Sequence, residues 1–265
     1  MPRAGVYPTS SSSGPRTAGL GRLELLTVAV DRCTLAEALE RCESALSGAA
    51  RPLRVVTLNP EMAVQAGRQP ELAEAIRSAG LVLADGAGVV WASRHLRRPV
   101  PERIPGADFL EHLAATAATQ GHSLFLLGGG PGVAAAAARS LERSHPGLTV
   151  SGCWAGSPSP AEANSICQRV QRSGASILAV AFGVPEQDLW LARHLLQTGC
   201  AVGIGVGGTF DYLAGRVPRA PLALRRLGLE WCFRLARQPW RLPRMLRGAS
   251  FFWAVLRAKT RREAG

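Results

Sequence analysis

After residue 20, short apolar runs alternate with segments of helical period. Leu53 to Leu58, Leu81 to Ala84, Ser123 to Leu127, Leu148 to Ser151, Ile177 to Phe182 and Cys200 to Val206 have the length and composition of buried strands. Thr34 to Leu46, Asp108 to Thr119, Pro131 to Ser144, Pro160 to Arg172 and Pro185 to Gln197 carry the helical spacing. This alternation predicts an α/β fold, a mainly parallel Rossmann-like sheet flanked by helices on both faces. Sheets of this kind bind ligands outside the carboxyl ends of their strands, so the strand exits are where chemistry is sought.

The exits hold unusual residues. They read Thr57-Leu58-Asn59-Pro60, Asp85-Gly86-Ala87-Gly88, Gly128-Gly129-Gly130-Pro131-Gly132, Gly183-Val184-Pro185-Glu186-Gln187 and Gly207-Gly208-Thr209-Phe210-Asp211. Beyond residue 215 the alternation stops, and the chain becomes helical in pattern, Arg-rich and marked by Trp231, Trp240 and Trp253. The expected organisation is a disordered leader over 1–20, an α/β core over 21–215 and a basic amphipathic helical appendage over 216–265.

Charge sharpens that division. The 265 residues carry 31 basic and 19 acidic side chains, for a net charge of +12, and Lys259 is the only Lys. A GC-rich genome alone would favour Arg over Lys, so placement is more informative than count. Residues 216–265 hold thirteen basic and two acidic residues, a net of +11, which leaves +1 on residues 1–215. An anionic partner is therefore expected at the appendage: phosphate, nucleic acid or an acidic lipid surface. Arg234, Arg237, Arg241, Arg244 and Arg247 recur at helical spacing, either as a phosphate-gripping row or as a solvated basic face. Interleaved Trp240, Leu242, Met245, Leu246, Phe251, Phe252 and Trp253 suit a helix lying on an anionic bilayer, with Pro243 expected to interrupt or kink it. No run approaches the roughly 18 apolar residues of a membrane span.

With 47% apolar residues the chain can bury a full core, which excludes disordered, collagen-like and disulfide-stapled classes. Six Cys without a C-x-x-C pair read as buried reduced thiols of a cytoplasmic protein. The five His are scattered and no D-x-D is present, so neither a metal site nor a metal-bound nucleotide diphosphate is expected. The Gly128 to Gly132 loop can turn backbone N–H groups toward a diphosphate, or be a plain strand-to-helix turn. The dinucleotide fingerprint fails there, because Val133 stands where a third Gly or Ala is required. Asp85 fits two roles, a general base in a cleft or the cap of a helix starting near Ala87. Thr57 and Asn59 offer neutral hydrogen-bonding groups to a sugar or a base.

In order along the chain, Thr57-Leu58-Asn59, Ala84 to Gly88, Glu102 to Asp108, Leu126 to Gly129, Phe182 to Gln187, Val206 to Asp211, Ala214-Gly215-Arg216 with Arg219-Ala220-Pro221, and Gly228 to Trp231 leading to Pro239-Trp240-Arg241 resemble the WecG/TagA/CpsF family of bacterial membrane-associated glycosyltransferases. The resemblance implies an inverting, metal-independent transfer without cofactor, from a UDP-sugar such as UDP-N-acetylmannosamine to a polyprenyl-diphosphate-linked saccharide. It places the enzyme at the cytoplasmic face of the plasma membrane, with a homo-oligomer as a soluble reservoir. Asp85 falls on the family's general base. Thr57, Asn59, Arg103 and Gln187 fall on pocket-lining positions, and Arg234, Arg241 and Arg244 on appendage arginines that reach back over the pocket; Gly128, Gly129 and Asp211, at the strand exits, are further substrate-binding candidates. Pro185-Glu186-Gln187-Asp188 departs from the family's usual Pro-Lys-Gln-Glu and predicts a donor without a carboxylate. The rival reading is a nucleotide- or nucleic-acid-binding protein without enzymatic activity, although the body lacks any nucleic-acid-binding motif.

Overall fold

The computed structural model describes residues 21–48, 52–226, 228–237, 239 and 242–263; residues 1–20 and Arg241 lie outside them. An antiparallel pair, β1 (Arg22–Leu25) and β2 (Val28–Asp31), precedes helix α1 (Leu35–Leu46). Six strands then form one sheet: β3 (Leu53–Leu58), β4 (Leu81–Ala84), β5 (Ser123–Gly128), β6 (Thr149–Trp154), β7 (Ile177–Ala181) and β8 (Val202–Gly205). Their order is β4-β3-β8-β7-β5-β6, and every neighbouring pair is parallel. All six strands therefore end on the same edge, as the alternation of strand and helix predicts.

The connections are helical: α2 (Pro60–Ala66), α3 (Pro70–Arg77), α4 (Ala87–His95), α5 (Gly106–Gln120), α6 (Val133–Ser144), α7 (Pro160–Ser173), α8 (Glu186–Thr198) and α9 (Thr209–Leu213). Alternate strand residues serve opposite faces of the sheet. Val55, Leu83, Leu126, Ala179 and Ile204 pack with α1, α5, α6 and α9. Val56, Val82 and Ala84 pack with α2, α3 and α4, while Leu127, Leu178 and Val180 pack with α7 and α8. Gly203 lets α8 approach β8, since a Cβ there would stand 2.6 Å from Leu195.

Three details differ from the sequence reading. The helix expected from Pro131 begins at Val133, because Gly132 adopts φ +75° as its N-cap and keeps Pro131 in the turn. Cys153 is exposed on the edge strand β6 and Cys232 is half-buried, whereas Cys33, Cys42, Cys167 and Cys200 are buried; all six are free thiols. The appendage is three helices: α10 (Leu222–Arg226), α11 (Glu230–Arg237) and α12 (Leu242–Glu263). Pro243 lies in the first turn of α12, where a missing N–H costs no helical bond, so it starts a helix instead of kinking one.

The appendage is bound to the core through α12. Phe251 and Val255 are fully buried in the cluster formed by α2, α3 and α4. Leu242, Leu246, Trp253 and Leu256 are exposed, Trp253 by 68% and Leu246 by 64%. At 100° per residue these four fall within an arc of about 80°, on the side opposite Phe251 and Val255. No helix among the described residues is long and apolar enough to cross a membrane.

Candidate active site

Asp85 leaves the end of β4 half-buried, its N–H donating to the carbonyl of Leu58 at 3.0 Å. The N-cap residue of α4 is Gly86, immediately after Asp85. Gly86 lies against Asn59 and Pro60, where a Cβ would stand 2.6 Å from Pro60. This contact brings the β4 exit against the β3 exit. Ile104 crosses the same exit, its N–H donating to the Ala84 carbonyl at 2.9 Å, and so places Arg103 beside it.

The neutral polar residues at the exits have structural partners. Thr57 is buried and its Oγ1 donates to the Gly205 carbonyl at 3.1 Å, tying β3 to β8. Asn59 caps α2, its Oδ1 accepting from the Met62 N–H at 3.0 Å, which leaves its amide NH2 at the crest. Gln187 is 1% exposed, and its Oε1 accepts from Gly207 N–H at 2.9 Å and Gly183 N–H at 3.2 Å. One side-chain oxygen thus brackets the exits of β7 and β8.

Thr57, Asn59, Asp85, Arg103 and Gln187 are in this way gathered on the exits of β4, β3, β8 and β7. The Gly-rich loop lies farther along the crest, at β5, four strand spacings or about 19 Å from β4. Gly128, at φ +104°, lies against Ala181, where a Cβ would meet the carbonyl carbon at 2.7 Å, and Gly129, at φ +72°, takes a bond from its own N–H to the Ala181 carbonyl. Asp211 sits in α9, and its carbonyl accepts from the N–H groups of Arg216 and Val217. A ligand reaching from Asp85 to Gly129 would be extended along the crest.

Arg225, which no sequence motif marks, and motif residues to which sequence assigns no role join the site through the appendage. Arg216 donates to the Pro131 carbonyl at 2.8 Å, bringing a cation onto the Gly-rich loop. Arg219 and Arg225 both reach Oδ1 of Asp108, at 2.6 and 3.5 Å, and Arg103 donates to the Arg225 carbonyl at 2.7 Å. Gly228 lies against Ala87, and Phe252 against Gly88, so the appendage touches the two residues that follow Asp85-Gly86. Arg241 lies outside the described residues, as do the side chains of Arg234 and Arg244.

Of the two acids in Glu186-Gln187-Asp188, Asp188 lies in the core: its carboxyl is fully buried and pushed up to about 7, because burial disfavours the charged form more than nearby Arg54 restores it. Neither carboxyl oxygen has a hydrogen-bond partner among the described residues. Arg54, also buried and held below the usual guanidinium range by the same desolvation, is committed to the Ala75 carbonyl and the Ser78 hydroxyl. Glu186, by contrast, is exposed at the start of α8. No cluster of three or more His, Cys, Asp or Glu side chains able to hold a metal ion occurs among the described residues.

Residues 23–265 match the glycosyl transferase WecG/TagA/CpsF family. The chain belongs to that family. A WecG/TagA/CpsF protein is a glycosyltransferase, which accounts for a crest that combines a carboxylate, neutral hydrogen-bonding side chains, a Gly-rich loop and arginines. The match runs through the appendage as well as the sheet, so α10 to α12 are part of the family's shared chain.

Proposed function

We propose that this chain transfers a sugar, N-acetylmannosamine or a related hexose, from a UDP donor to a polyprenyl-diphosphate-linked saccharide in surface polysaccharide synthesis. Asp85 is the general base: it takes the proton from the acceptor hydroxyl as the oxygen attacks the anomeric carbon, and the C–O bond to UDP breaks with inversion. Asn59 and Arg103 contact substrate, while Thr57 and Gln187 hold the exits that carry them. Gly128, Gly129 and Asp211 take the nucleotide end of the donor. Charge developing on the UDP leaving group is met by backbone N–H groups and by Arg103 and the appendage arginines Arg234, Arg241 and Arg244, without a metal.

The observation that carries this reading is the packing of Gly228 on Ala87 and Phe252 on Gly88, which sets a basic, family-wide appendage beside the exit that bears Asp85. In this reading the core is residues 21–215 and the basic appendage residues 216–265. The exposed stripe of Leu242, Leu246, Trp253 and Leu256, within a segment of net charge +11, suits a helix seated on the anionic inner face of the plasma membrane. Lipid-linked acceptor and active site would then meet at that surface. The test is acceptor-dependent UDP release from a panel of UDP-sugars with a short-chain polyprenyl-diphosphate-GlcNAc analogue, with and without EDTA. Release that requires the acceptor and survives EDTA is expected; release abolished by EDTA would refute the metal-free site.

A further inference from the structure

The segment Glu102 to Asp108 and the segment Arg219-Ala220-Pro221 meet in the fold although 111 positions separate Asp108 from Arg219. Asp108 lies in the first turn of α5 and is about a third exposed. Its Oδ1 receives Arg219 at 2.6 Å from one side and Arg225 at 3.5 Å from the other. Ala220, next to Arg219, is buried and anchors the same stretch. Two cations, one on the irregular segment leading into α10 and one on α10 itself, therefore converge on one core carboxylate.

The same stretch also faces back toward the reaction. Arg103 donates through Nη2 to the main-chain carbonyl of Arg225, the residue whose side chain is held by Asp108. A guanidinium has five N–H groups. Arg103 uses one of them here and has no other hydrogen bond among the described residues, so it is oriented by α10 while most of its donors remain for a ligand. Three residues after Arg225, Gly228 lies on Ala87, two positions from Asp85. A carboxylate that fixes Arg225 thus fixes both the direction of Arg103 and the cover over the β4 exit.

We propose that Asp108 is a positioning residue: by holding Arg219 and Arg225 it latches the segment 216–237 onto the strand exits and aims Arg103 at the substrate. Its contribution to sugar transfer rests on the glycosyltransferase reading above, while its contribution to docking does not. An ion pair of two arginines on one carboxylate with about a quarter to a third exposure is partly screened by solvent, so the latch is one that salt weakens without abolishing.

The experiment measures hydrogen–deuterium exchange and acceptor-dependent UDP release on the full-length chain for Asp108→Asn, Arg219→Gln and the conservative Asp108→Glu. Asp108→Asn and Arg219→Gln should each speed exchange of α10 and α11 several-fold and leave the sheet strands unchanged. Turnover should fall about tenfold or more in both, while Asp108→Glu, which keeps one carboxylate for both arginines, should retain most of the protection and most of the turnover. Combining Asp108→Asn with Arg103→Ala should cost scarcely more turnover than Arg103→Ala alone, which a merely structural role would not produce. Unchanged exchange in α10 and α11 for both Asp108→Asn and Arg219→Gln overturns the latch, whatever happens to turnover. Faster exchange with wild-type turnover, or fully additive losses with Arg103→Ala, overturns the positioning role. If the wild-type chain transfers no sugar, the glycosyltransferase reading falls and the exchange result alone decides the latch.

Discussion

The ring of Phe252, on the last helix, lies 3.1 Å from the position a Cβ on Gly88 would take, three residues after Asp85. The same Cβ would stand 2.6 Å from Pro60. Gly88 is thus small because two elements close on it, α2 from the core and α12 from the appendage. Phe252 in turn meets Trp91 edge-on at 5.0 Å, so α4 and α12 share an aromatic seam beside the β4 exit that bears Asp85.

Gly88→Val should wedge that seam open. An added side chain at a closed contact costs typically about 1–3 kcal/mol, and urea unfolding should show a loss in that range. Transfer activity should fall further than stability alone explains, because the displaced element packs on Gly88, three residues after Asp85. Gly88→Val with unaltered unfolding would mean that α12 does not dock as described.

Gln187 gives a cleaner separation between scaffold and chemistry. Its Oε1 satisfies the N–H groups of Gly183 and Gly207 inside the crest, and leaving such donors unpaired costs about 1–3 kcal/mol. Gln187→Leu should lose stability of that order. Gln187→Glu keeps an acceptor oxygen in the same place but buries a second carboxyl beside Asp188, so in the same denaturation assay it should recover most of the loss only at about pH 4, where both are protonated, and equal losses for the two variants at that pH would count against the bracket.

Asp188 makes stability depend on pH. Its folded carboxyl is pushed up to about 7 from an ordinary 3.8, so the folded state retains a proton that the unfolded chain releases first. The associated stabilisation is complete below about 3.8 and is lost as pH rises through about 7. Melting temperature should therefore decline between pH 5 and pH 8, and Asp188→Asn, which cannot ionise, should flatten that decline. Arg54, which favours the charged form, and Glu186, which opposes it, are the charged groups that modulate the effect, with Glu74 acting through Arg54.

The outward stripe of α12 should govern membrane attachment. Leu246 and Trp253 are about two-thirds exposed, so Leu246→Glu with Trp253→Glu should leave the melting temperature nearly unchanged. Sedimentation with phosphatidylglycerol vesicles should show at least a tenfold loss of binding. Binding that persists would place the membrane contact elsewhere, for instance at Trp231.

Sequence periodicity read the central strands well, because parallel strands buried on both faces are short continuous apolar runs. Leu53–Leu58 and Leu81–Ala84 are strands over those same residues. The β1–β2 hairpin was not read, since its two four-residue strands join through Leu26 at φ +59° without the Gly or Asn that marks a hairpin turn. Pro131 misled as a helix start because the αL conformation of Gly132 intervenes. The motif residues at the exits were legible, but the bonds that tie them together, from Thr57 to Gly205 and from Gln187 to Gly183 and Gly207, leave no trace in sequence. The pairing of Asp108 with Arg219 leaves no local trace, since charges 111 residues apart are matched only by the fold.

The central claim is that Asp85 takes the acceptor proton. It is tested most directly by comparing Asp85→Asn with the wild type for acceptor-dependent UDP release and for UDP binding by calorimetry. The variant should bind UDP within about threefold of wild type and lose transfer by about 10²–10⁴, the range a positioned general base supplies. Turnover within a few-fold of wild type would contradict the account.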